Sequence, residues 1–118
     1  MKRVRIEYDD QNESFRSVLP RRGAIVGIFW DRSDNKDWAL VHLDEPFEWQ
    51  LRVGEPYQFR LLHIDHFLIK SRWSDHAIGD TEPTSVFVLL VERGFVPQGS
   101  VIEVRKYVHV VWGMCHSE

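Results

Sequence analysis

The chain has 118 residues, a net charge of −3 and a single cysteine. Its length fits one domain that buries roughly 65% of its unfolded surface. The negative balance argues against bulk attraction to nucleic acid or an anionic membrane, and the lone Cys115 rules out an internal disulfide, and with it a stapled secreted scaffold.

Five Trp, seven Phe and three Tyr make the chain rich in the residues that suit strands and small barrels. Residues 1–10 start basic but carry no apolar run of the kind a secretory leader needs. The longest apolar run, residues 24–30, is far short of a membrane span. The expectation is a soluble cytoplasmic protein without a membrane partner.

In chain order, Val4, Ile6 and Tyr8 alternate with Arg3, Arg5 and Glu7 and predict a first strand. Residues 9–14 are polar and turn-like. Phe15, Ser17 and Leu19 fit a returning strand, while Phe15, Val18 and Leu19 fit one face of a short helix; Pro20 ends either. The strand is preferred because its neighbours are strands. Residues 24–30 are apolar on both faces and predict a strand covered on both sides, or one in a tight barrel where Gly27 permits a bend. Residues 31–37 are the most polar stretch and predict an exposed hairpin loop, with a return strand over 38–43 and a corner at 44–46.

The clearest pattern lies at 47–63. Phe47, Trp49 and Leu51 alternate with polar residues, as do Tyr57, Phe59 and Leu61, and Gly54 and Pro56 lie between the two sets. This predicts a β-hairpin with all six apolar side chains on one inward face. The alternation then slips, because Leu62 and Ile64 are apolar before Phe67, Ile69 and Trp73 return to odd positions. A slip of this kind marks a bulge or a tight turn, and a bend is placed at 63–66. Residues 74–84 predict the longest loop, 86–91 the most buried strand, 94–99 a turn, and 101–112 a long closing strand. That last strand has Ile102, Val104, Val108, Val110 and Trp112 as its inward row, followed by a frayed tail over 113–118. Trp49, Phe59, Val88 and Val110 are predicted core residues.

Chemistry is sparse. His63, Asp65, His66 and His76, with Asp75, are the candidate metal or acid–base groups, because imidazole and carboxylate are the usual ligands of zinc and non-haem iron. On a straight strand His63 and His66 face opposite ways, and only a bend at Asp65 brings them together. No His-Glu-x-x-His, Cys-x-x-Cys, nucleophile elbow, P-loop or dinucleotide fingerprint occurs. Asp31, Ser33, Asn35 and Asp37 place oxygens at alternate positions, like half a calcium loop. Lys36 stands where that loop needs glycine, and His42 where it needs a bidentate Glu. Arg52, Arg60, Lys70 and Arg72 fall on the predicted outward phase of three successive strands and form a candidate basic stripe. The aromatics of the same strands point inward by phase, so a base-stacking platform is missing. Trp30 and Trp38 flank the polar loop and are candidate binding aromatics.

The reading is an all-β fold, one domain over 1–118. It is a small antiparallel β-barrel or strongly bent β-sandwich of about eight strands with little or no helix. In outline alone it resembles small SH3-like or oligonucleotide-binding barrels, which carries no function. The leading functional expectation is a non-enzymatic binding or protein-interaction module, with no cofactor and no metal. Its candidate binding residues are Arg52, Arg60, Lys70, Arg72, Trp30 and Trp38, and its candidate partners are a protein or a small anionic ligand rather than nucleic acid. The alternatives are a small metal-dependent enzyme built on residues 63–76 and a structural subunit of a larger assembly, contacting its partner through 86–91 or the closing strand.

Overall fold

The computed structural model describes residues 2–8, 18–72, 83–107 and 110–118, and at residues 8, 51–53 and 110 the backbone alone. Seven strands form: β1 (Lys2–Tyr8), β2 (Arg21–Asp31), β3 (Lys36–Val53), β4 (Gln58–Ser71), β5 (Thr84–Glu92), β6 (Val101–Ile102) and β7 (Val110–Ser117). The only helical element among the described residues is a 3-10 turn at Val104–Lys106. Each of β1 to β4 pairs antiparallel with the strand that follows it; β5 pairs with β7 and β7 with β1. The sheet therefore closes on itself as a six-stranded antiparallel barrel, and β6 is an extra strand lying parallel to the end of β2. Closure removes the unpaired edges that an open sheet would present. No helix among the described residues is long and apolar enough to cross a membrane.

The long strands have two cores because the sheet is covered on both faces. Inside the barrel, Val4, Ile6, Val41, Ile64, Phe67 and Val88 are fully or almost fully buried together. On the outer face, Phe29, Trp38, Leu40, Leu68, Leu89 and Val91 are buried beneath Ile102, with Val96, Val104 and Tyr107 packed against them. Residues 96–107 thus form a strap over one side of the barrel. A strand covered on both faces needs apolar residues at odd and even positions alike, which is why 86–91 reads as a continuous apolar run. Burying each Val, Leu or Phe in this way contributes roughly 1.5–3 kcal/mol.

The strap is held by one carboxylate. Asp31 is fully buried. Its oxygens accept the Val104 N–H at 3.0 Å, the Ser33 N–H at 3.2 Å, the Asp34 N–H at 3.1 Å and the Ser33 hydroxyl at 2.9 Å. The backbone bonds Trp30 N to Ser100 O and Arg32 N to Ile102 O, at 2.9 and 3.0 Å, join the same two segments. Burial pushes the Asp31 carboxyl up, but the hydrogen bonds from the Asp34 side, Val104 and Ser33 outweigh it and bring the pKa down to about 2.

The structure corrects three sequence expectations. First, the apolar residues of the 47–61 hairpin do not share a face. Val53 pairs with Gln58, Leu51 with Arg60 and Trp49 with Leu62, so odd positions of β3 face even positions of β4. An intervening loop with an even number of residues forces this parity, and directly paired residues share a face. Phe59, expected in the core, is 66% exposed, while Trp49 is packed partly buried against the inner core and Val88 is buried. Second, residues 101–112 are not one strand, since the 3-10 turn separates β6 from β7 and resets the phase. Val111 and Cys115 point inward and Trp112 outward, the reverse of the predicted row; the side chain of Val110 lies outside the described residues. Third, residues 113–117 are not a frayed tail but the strand that closes the barrel, pairing Val4 with Ser117 through to Tyr8 with Gly113. The strand or helix predicted at 15–19 and most of the 74–84 loop fall outside the described residues, apart from buried Val18 and Leu19.

The predicted bend at 63–66 is a bulge, with the β4–β5 register shifting between Ile64 and His66. The apolar run of β2 bends likewise, between Ile25 and Gly27.

Candidate interaction surface

The strands β3 and β4 are longer than the barrel wall they help to build. β2 pairs with β3 at residues 36–43, and β5 with β4 at 64–71. Residues 49–53 and 58–62 pair in the sheet only with one another among the described residues. They form a two-stranded ribbon closed by the turn at 54–57, where Gly54 adopts φ +75°. Five residues of strand span roughly 17 Å, and the molecule is 44 Å long but only 28 and 25 Å across.

The two faces of the ribbon differ. At its base, Leu62 and Ile64 are buried, and Phe47 and Trp49 pack against the same inner core. Phe47 lies edge-on to Phe67 at 6.1 Å, and the Arg21 guanidinium covers its ring at 3.9 Å. The Arg60 guanidinium, on this phase, pairs with Glu92 at 2.7 Å and ties the ribbon to the end of β5. The opposite face carries Phe59 and Leu61, adjoined by Tyr57 from the turn, at 66, 52 and 55% exposure. Three neighbouring large apolar side chains more than half exposed on a two-stranded ribbon form an apolar surface on the described chain.

The predicted basic stripe is split. Lys70 and Arg72 lie on the outer face of the barrel, whereas Arg60 lies on the phase of Leu62 and Ile64, the other side of β4. Arg52 pairs through its backbone with Phe59. Phe67, on the same strand as Lys70, faces the inner core, but Lys70 and Arg72 meet aromatic rings of neighbouring strands. Lys70 sits 5.4 Å from the Trp38 ring and 5.7 Å from Phe87, and Arg72 sits 4.0 Å over Trp112. Register explains this row, because Lys70 pairs with Phe87 and Phe87 with Trp112 across three strands. Lys70 also reaches Asp34 at 3.2 Å. Trp30 and Trp38 diverge: Trp38 is buried in the outer core, and Trp30, on the other face, donates its indole N–H to Asn35 at 2.9 Å.

The histidines separate into two groups. His63 faces Glu48 at 3.4 Å. His66 contacts Asp65 at 2.7 Å and stacks on its cross-strand neighbour His42 at 4.6 Å. The bulge turns both His63 and His66 away from the inner core, yet each is engaged with a different carboxylate. Among the described residues no group of three or more His, Cys, Asp or Glu is placed to hold a metal ion; Asp75 and His76 lie outside them. The oxygens of the calcium-like loop are engaged within the protein, Asp31 with the strap and its own turn, and Asn35 with Trp30. The β5 strand, an alternative contact surface for an assembly, is flanked by β4 and β7 and lies between the two cores.

Fold and surface together define a closed six-stranded antiparallel barrel with a projecting β-ribbon. Compared with known families, curated proteins and solved structures, the chain matches none.

Proposed function

We propose that this chain is a non-enzymatic protein-interaction module that docks a protein partner on the projecting β3–β4 ribbon. The observation that carries the reading is the exposure of Tyr57, Phe59 and Leu61, at 55, 66 and 52%, on a ribbon that no third strand supports among the described residues. An apolar patch of aromatic and aliphatic side chains with charged neighbours has the composition of an interface centre with a polar rim. Glu48 and His63, exposed on the same face at the base of the ribbon, supply that rim. A small anionic ligand is less well served, because Lys70 is already stacked on aromatic rings and paired with Asp34.

The test is a photo-crosslinking amino acid placed at position 59, with a control at the exposed Gln98 on the strap, in the cells that produce the protein. A discrete adduct from position 59, absent from position 98, is expected. No adduct from position 59 removes the reading.

A further inference from the structure

We infer that the partner of the ribbon is a second copy of this chain, paired antiparallel along the β4 edge; the inference rests on the docking role proposed above. Among the described residues the edge of β4 is unpaired from the turn to Leu62, because His63 O already accepts the Arg93 N–H at 2.7 Å and Ile64 already pairs with Glu92. Natural edge strands are usually blunted by Pro, Lys, a bulge or a covering segment. Residues 58–62 hold no Pro or Lys, their one charged side chain, Arg60, is paired with Glu92, and the bulge lies further on, after Ile64.

Two-fold symmetry restricts the pairing to a few registers, and side-chain chemistry separates them. Registers that pair odd with even positions set Phe59 and Leu61 against the opposite face of the partner strand. Centring on Leu61 brings the partner's Ile64 and His63 into the ladder, whose edge groups are already used. Centring on Arg60 puts two guanidinium groups directly opposite, which is destabilising. Centring on Gln58 spends one position on Pro56, which has no N–H, and leaves Leu61 outside. Centring on Phe59 meets none of these objections. It sets Phe59 against the partner's Phe59, Tyr57 against the partner's Leu61, and Gln58 against the partner's Arg60, an amide that can accept from the guanidinium Nε or Nη1 while Nη2 keeps its own Glu92. The three exposed apolar side chains of each copy then form one continuous row, and two ribbons become a four-stranded sheet, the smallest arrangement in which neither β4 edge is open.

Position 58 tests this register without touching the apolar face. Sedimentation velocity over a dilution series should show a dimer that dissociates as concentration falls. Gln58→Glu places a carboxylate opposite the partner's Arg60 twice per dimer and should tighten the dimer roughly tenfold, whereas Gln58→Arg places like charges there and should weaken it by a similar factor. Added salt should shrink both effects. A chain that stays monomeric at every concentration, or a dimer indifferent to the charge at position 58, overturns the inference. The docking reading is judged separately: a crosslinked adduct from position 59 to a different protein, with a monomeric chain, removes self-pairing and leaves docking standing.

Discussion

At the scale of single residues, two phenylalanines a short distance apart on β4 have opposite roles. Phe67 is fully buried in the inner core and touches the ring of Phe47, while Phe59 is 66% exposed. Phe67→Ala removes a full aromatic side chain from a packed core and should cost about 3–5 kcal/mol in a urea melt. Phe59→Ala should change stability by no more than about 1 kcal/mol, because little but water surrounds the ring in a single copy. Asp31 is the buried polar counterpart. Asp31→Ala leaves the N–H groups of Ser33, Asp34 and Val104 without their acceptor and should cost roughly 2–4 kcal/mol. Its pH dependence has a definite sign. The folded pKa, about 2, lies below the ordinary 3.8, so the contribution is fully present above the unfolded value and is lost as pH falls through about 2. Asp34, raised by burial and by the neighbouring Asp31 against the pull of Lys70, works in the other direction. Chemical denaturation between pH 5 and 2 should therefore show wild-type stability falling more steeply than that of Asp31→Asn, and parallel curves would mean that the carboxylate charge does not hold the strap.

At the scale of elements, strand positions were legible and strand faces were not. The strands at 24–30, 38–43 and 86–91, the hairpin loop at 31–37 and the bulge near 63–66 follow from composition and phase, because alternation and turn residues are local signals. Which face meets which is a matter of pairing parity. Had Val53 paired with Tyr57 around a three-residue loop, Phe47, Trp49, Phe59 and Leu61 would share a face as expected from sequence. Pairing Val53 with Gln58 reverses it, and Gly54 and Pro56 suit either loop length. The strap was hidden for a related reason: its contacts join Val104 to Asp31 and Ile102 to Phe29 and Trp38, over separations that no local pattern records. The ribbon was therefore visible as a hairpin while its candidate binding face was assigned to the core. The structural consequence can be measured by hydrogen exchange. Amides of Gln58–Leu62 that face the open edge should exchange orders of magnitude faster than those of Val86–Val91 in dilute protein. If the ribbons pair, that protection should rise with protein concentration, whereas protection equal to that of β5 at every dilution would mean that the ribbon is covered within a single chain.

At the scale of the whole molecule, closure of the barrel depends on the last strand. β1 has two neighbours, β2 over residues 2–6 and β7 over residues 4–8, and the second of these completes the ring. Sequence composition hides this strand, since Gly113, His116 and Ser117 have little strand propensity and the phase had been lost in the 3-10 turn before it. Gly113 has a specific reason to be there. It lies between Val86 of β5 and Tyr8 of β1, and a Cβ at this position would stand 2.8 Å from Ile6 Cγ2 and 2.9 Å from Glu7 O. Both distances are shorter than real Cβ contacts, and one of the two obstacles is backbone, which cannot rotate aside. Gly113→Ala must therefore push β1 away from β7 at the seam, with overpacking costs of about 1–3 kcal/mol. Gly94→Ala is a useful contrast. Gly94 sits at φ +89° in the exposed turn after β5 with nothing within 4 Å, so its penalty is backbone strain confined to a turn. The Gly113→Ala variant should lower the melting temperature and also raise exchange selectively in β1 and β7, whereas Gly94→Ala should leave the seam amides at wild-type rates. Equal exchange at the seam in both variants would mean that β7 closes the barrel too loosely to feel a methyl group. The inner core formed by Val4, Ile6, Val111 and Cys115 would then have to be held by the other five pairings alone.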